Sequence, residues 1–128
     1  MNVRALIFDV FGTLVDWRSG VARELQTRLR VSAQEADALA DAWRDEYQPA
    51  MEEVRAGRIA FCKLDMLHRR NLDIVLDRFG HGADETTRRE LTLAWHRLDA
   101  WPDVTPALVR LRTKFLLAPC SNGNISLM

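Results

Sequence analysis

The chain has 128 residues, and its 18 Lys+Arg balance its 18 Asp+Glu, so it carries no formal net charge. That length allows one domain, or a small domain with part of another, and 48% hydrophobic with 28% charged residues is the make-up of a folded globular protein. With no net field to grip nucleic acid or an anionic surface, and no apolar run of the ~18–20 residues that span a bilayer, neither nucleic acid nor membrane is an expected partner.

The amino-terminal stretch is apolar but short and broken by Asp9, which does not suit a signal peptide. Residues 5–8 (Ala-Leu-Ile-Phe) form a short apolar run closed by the turn around Gly12, which predicts a buried strand of a parallel sheet. Over residues 19–30 Val21, Leu25 and Leu29 recur every four positions, a helix with a basic outer face. Ser32 and Glu35 have the spacing of a capping box, opening a helix that carries Ala36, Leu39, Ala40 and Trp43 and is expected to reach Tyr47 before Pro49 disturbs it. Residues 60–79 repeat the helical pattern through Leu64, Leu67, Leu72, Val75 and Leu76, and Gly80 and Gly82 stop it. A further helix is predicted over 84–98. Thr105 and Pro106 then read as the N-cap and first residue of a helix ending near Arg112. Residues 115–120 are a second apolar strand, with Pro119 at its end, closed by Ser121-Asn122-Gly123.

The order is therefore strand, helices, strand. A parallel pair needs a crossover of only a dozen or so residues, so the much longer stretch between the two strands reads as an inserted helical unit. Ligands of open parallel sheets collect at the carboxyl ends of the strands. Those ends carry Asp9 and Thr13 on one strand, and Ser121 and Asn122 on the other. A carboxylate there either caps a turn or faces a ligand, and the turn's backbone N–H groups can form an anion-binding nest. The two cysteines, Cys62 and Cys120, fit neither a zinc pattern nor a disulfide framework, so a reducing cytoplasm is the expected location. His68, His81 and His96 share no ligand spacing and are expected on helix faces or the surface.

Residues 8–14, Phe-Asp-Val-Phe-Gly-Thr-Leu, resemble the first motif of the haloacid dehalogenase superfamily, whose Asp is a covalent nucleophile. Ser121-Asn122-Gly123 resembles its second motif, which binds the substrate's anionic group, and the long helical insertion matches the position of its cap. The resemblance covers the whole chain. It implies an α/β fold with a Rossmannoid parallel-sheet core, incomplete here and made of residues 1–15 and 99–128, and an inserted helical-bundle cap of residues 16–98. Phosphatases of the superfamily carry a proton-donating Asp two residues after the nucleophile. Phe11 stands there instead, which suits a halide leaving group. Trp43-Arg44 and Phe61 resemble cap residues of the 2-haloacid dehalogenases.

The implied reaction is hydrolysis of a short 2-haloacid to a 2-hydroxy acid through an ester on Asp9, with no metal or other cofactor. Thr13 would orient Asp9, and Arg44 would face the halide or carboxylate. Val10, Phe11, Ser121 and Asn122 would hold the carboxylate, and Phe61 would line the pocket. The superfamily's third motif supplies a Lys and its fourth acidic and polar residues. Neither Lys63 nor Lys114 matches the former. Two strands alone would leave apolar faces and edges uncovered, which invites pairing with another chain, as in a homodimer. The 128 residues alone are therefore expected to lack full dehalogenase activity. A hydrolase or phosphatase acting on another small substrate, and a non-catalytic remnant, stand as alternatives. Halogen, chain length and stereochemistry are not legible.

Overall fold

A computed structural model describes residues 2–128. Strand β1 (Ala5–Phe8) leads into helices α1 (Trp17–Leu29), α2 (Ala33–Asp45), α3 (Tyr47–Arg55), α4 (Leu64–Phe79) and α5 (Glu85–Thr92). A 3₁₀ turn (Leu93–His96), helix α6 (Val104–Leu111), strand β2 (Leu116–Pro119) and a final 3₁₀ turn (Ile125–Leu127) follow. The fold is thus mixed α/β, mostly helical, with β1 and β2 paired in parallel so that Ala5 faces Leu116 and Phe8 faces Pro119.

The core lies among α1–α5. Val21 and Leu25 of α1, Leu39, Ala40 and Trp43 of α2, Leu67, Leu72, Val75 and Leu76 of α4, and Leu91 of α5 are all buried, as the four-residue spacing predicts. Each such Leu or Val adds roughly 1.5–3 kcal/mol over an exposed one. The sheet is the opposite case. Ile7 is 70% and Leu116 73% exposed, and no residue of α6 is buried. The strands are where the sequence predicts them, but within this chain their apolar faces are uncovered rather than buried.

Helix ends show where local signals were read correctly and where they were not. Asp16, Ser32 and Asp84 cap α1, α2 and α5 by accepting from the backbone N–H three residues on. The capping box is only half formed, because the Glu35 carboxylate instead meets His81 Nε2 at 2.7 Å. Helix α2 stops at Asp45, and Pro49 sits in the first turn of the separate α3, where its missing N–H costs nothing. Helix α4 begins at Leu64, leaving residues 60–63 outside it. The helix expected over 84–98 tightens into a 3₁₀ turn after Thr92. Helix α6 starts at Val104, so Asp103 takes the N-cap position in place of Thr105, and Pro106 lies inside the first turn.

The segments joining strands to helices are laced together. Asp16 N–H donates to Asp99 O (2.9 Å), Trp101 N–H to Leu14 O (3.1 Å), and Trp101 Nε1–H to Gly12 O (3.1 Å). Gly12 itself sits at φ 93°, beyond what an L side chain adopts without strain. Gly12→Ala is expected to destabilise the chain by about 1–3 kcal/mol, read as a lower urea midpoint at unchanged m-value.

Candidate active site

Beyond β1 the chain turns sharply: Leu14 N–H and Val15 N–H both donate to Val10 O, at 2.9 and 3.2 Å. This turn returns Thr13 over Asp9, and Thr13 Oγ1 donates to Asp9 Oδ2 at 2.8 Å. Among the described residues, the Val10 and Phe11 N–H groups donate to no backbone carbonyl, as a nest at this strand end requires. Beyond β2, Ser121 Oγ accepts from Gly123 N–H (3.1 Å), and Asn122 Nδ2 donates to the Tyr47 hydroxyl (2.7 Å).

Asp9, Ser121 and Asn122 meet in one cavity of about 110 Å³, lined also by Phe11, Arg44, Tyr47, Leu64, His68 and Trp95; Val10 and Thr13 are not part of its lining. Pockets for drug-sized ligands are roughly 300–1,000 Å³, so this one suits a much smaller molecule. Both strand ends and the helical body contribute to it.

Arg44 is not the solvated helix residue that its neighbours Asp41 and Asp45 would make it. Asp41 is taken by a bidentate pair with Arg18, both contacts 2.7 Å, and among the described residues no carboxylate forms an ion pair with Arg44. Its guanidinium carbon instead lies 4.4 Å from the centroid of the Tyr47 ring and 5.8 Å from that of Trp17. Stacking on aromatic faces fixes the guanidinium plane while leaving its N–H donors unspent.

Phe61 does not line this cavity. It is 94% exposed and borders a separate apolar groove of about 710 Å³ with Met51, Val54 and Leu67, adjoining the first at Leu64 and Asn122. Phe61 lies in the non-helical residues before α4. Lys63 lines this groove too, and among the described residues no lysine lines the Asp9 cavity.

Two wall residues were not singled out by the sequence. His68, expected on a helix face or the surface, lies on the buried face of α4 at 4% exposure and stacks on Trp95 with ring centroids 4.5 Å apart. Its place on the apolar stripe Leu64–His68–Leu72, every fourth residue, is the signal that could have found it. Trp95 is 2% exposed and also packs against Phe11, Trp17 and Trp43 at centroid distances of 6.0, 5.9 and 5.6 Å.

Burial, chiefly, pushes the His68 pKa down to about 4; Asp65 opposes this and Arg44 and His96 reinforce it. The ring is therefore neutral near pH 7. In the unfolded chain it titrates near 6.5. Between those values the unfolded chain holds a proton that the folded chain does not, so this contribution is full above about pH 6.5. It declines as pH falls toward 4, by at most about 3 kcal/mol. Urea denaturation at several pH values is expected to show this loss, and a His68→Gln chain to lack that part of it.

The chain is similar to known proteins in sequence and in fold. A sequence model of the haloacid dehalogenase-like hydrolases matches residues 3–128. The chain is 31% identical over 124 residues to (S)-2-haloacid dehalogenase 1 of Pseudomonas sp. (strain CBS-3), covering 95% of this chain and 52% of that protein. The crystal structure of a defluorinating L-2-haloacid dehalogenase superposes with a TM-score of 0.91 at 44% identity, covering 99% of this chain and 54% of the other. A second L-2-haloacid dehalogenase gives 0.90 at 42%, covering 99% and 55%. The chain spans about half the length of these relatives. With the family model matching nearly every residue, and the fold agreeing from β1 to the last turn, this chain belongs to the haloacid dehalogenase-like hydrolases.

Proposed function

We propose that the chain carries the nucleophile and anion-binding half of a 2-haloacid dehalogenase, with residues 1–15 and 99–128 as its α/β core and 16–98 as its cap. The observation that carries this reading is the shared cavity: Asp9, Arg44, Ser121 and Asn122 line one small space walled by aromatic rings.

An Asp9 carboxylate oxygen attacks C2 of a short 2-haloacid from the side opposite the halogen. The C–O bond forms as the carbon–halogen bond breaks, and halide leaves with the bonding pair. Water then adds at the ester carbonyl of Asp9 and the 2-hydroxy acid departs, restoring the carboxylate. The Thr13 hydroxyl holds one Asp9 oxygen, which leaves the other to attack. Arg44, with several N–H donors fixed in one plane, faces the leaving halide or the substrate carboxylate. Ser121, Asn122 and the Val10 and Phe11 N–H groups hold the carboxylate. Phe11 has no proton to give, and a halide needs none to leave, whereas the alkoxide of a phosphate ester does. The proposed reaction uses no metal. Cys62 and Cys120 are both free thiols, which supports a reducing compartment such as the cytoplasm.

The names of the relatives, (S)-2- and L-2-haloacid dehalogenases, set the substrates for the test. Halide release should be followed with both enantiomers of 2-chloropropionate and with fluoroacetate, alongside phosphate release from a simple phosphate ester with magnesium. Halide release from one 2-chloropropionate enantiomer, or a single carboxyalkyl adduct on the protein, is expected. Phosphate release without either would replace this reading with a phosphatase.

A further inference from the structure

Two ring nitrogens in the walls of this cavity have no hydrogen-bond partner among the described residues. Trp95 Nε1 and His68 Nδ1 are buried without a hydrogen-bond partner, and both residues line the space shared by Asp9 and Arg44. A buried polar group without a partner is costly and uncommon, so each calls for a physical reason. The other two tryptophans near the site with assigned bonds differ: Trp43 Nε1 donates to His68 O at 2.9 Å and Trp101 Nε1 to Gly12 O at 3.1 Å. Indole nitrogen can only donate, and a neutral imidazole donates from one of its two nitrogens. Arg44 adds a guanidinium that has no carboxylate partner among the described residues and stacks on Tyr47.

We propose that Trp95 and His68 are anion-binding residues of this site, each giving a ring N–H to a small substrate or product anion beside Arg44. The proposal deepens the dehalogenase reading by naming two specificity-determining residues of the same cavity. Both rings are held before any ligand arrives, because they stack on one another and the Trp43 indole grips the His68 backbone. Donors fixed in this way, away from bulk water, favour a compact, strong hydrogen-bond acceptor over a large, weakly accepting one. A carboxylate and a small halide share that chemistry.

The test is binding of unreactive anions to the ¹⁵N-labelled chain, acetate in one arm and chloride in the other. The readouts are the tryptophan indole N–H and histidine ring signals. The Trp95 indole and His68 ring signals are expected to shift and saturate while Trp43 and Trp101 stay still. Response to acetate alone assigns the donors to the substrate carboxylate, and response to chloride alone to the halide; both support the proposal. His68→Phe, which keeps the stacked ring and removes its nitrogens, is expected to weaken binding roughly tenfold. Saturable binding that leaves Trp95 and His68 unmoved, no binding in either arm, or unchanged affinity in His68→Phe would overturn the proposal. Because no turnover is needed, binding at these rings with neither halide release nor a carboxyalkyl adduct would instead count against the dehalogenase reading alone.

Discussion

Asp9→Asn is expected to abolish the protein adduct together with whatever halide release the chain supports. The substitution keeps size and shape, and Asn can still accept from Thr13 Oγ1, whose 2.8 Å bond orients the group in the native chain. What it loses is the anionic oxygen, since a neutral amide is a poor nucleophile toward a saturated carbon. Asp9 is exposed and bonded through its side chain only to Thr13 among the described residues, so stability should change by about 0.5 kcal/mol or less. Chloride release and the intact mass of the protein after exposure to 2-chloropropionate read the two outcomes separately. An adduct that survives in Asp9→Asn would move the nucleophile to another residue.

The largest stability effect is expected from Trp95→Ala. Four rings converge on this side chain: Trp17 and His68 stack on it, and Phe11 and Trp43 meet it edge-on. Truncation removes all four contacts and opens a void where α1, α2 and α4 meet the turn after β1. Loss of a buried Trp costs about 3–5 kcal/mol, a large share of the ~5–15 kcal/mol that holds a domain folded. The urea midpoint should fall accordingly, and a stability change below about 1 kcal/mol would show that the ring cluster does not anchor the fold. Because Phe11 belongs to the cluster, the same variant should also loosen the turn that carries Asp9.

Both strands, the helical faces and the polar strand ends were legible because each has a local cause. Apolar runs closed by glycine turns mark β1 and β2, and four-residue spacing marks the buried faces of α1, α2 and α4. Helix boundaries failed at Pro49 and Pro106, where a proline tolerated in the first turn reads the same as one that breaks a helix or begins it. The Thr13–Asp9 contact was expected only through the resemblance of residues 8–14 to the family's first motif. His68 and Trp95 were not legible, because their meeting depends on how α4 packs against the 3₁₀ turn after α5. Phe61 was misplaced for a related reason: its position is set by an irregular stretch whose direction no periodicity reports.

The laced segments beside Gly12 and Trp101 also bear on how the chain assembles. Pairing Ala5 with Leu116 closes a loop that contains nearly the whole chain, an unfavourable step for a flexible polymer. The bond from Asp16 to Asp99 brings the two ends of the helical segment together. Once α1–α5 have packed, the strands therefore need to search only the short distance left between those ends. Helix contacts are local and form fast, while the parallel pairing is long-range and slow. The expected order is helices first, the crossing at Asp16 and Asp99 next, and the strands last. Asp9 and Ser121 would then come together only at the final step, after the aromatic wall they face has formed.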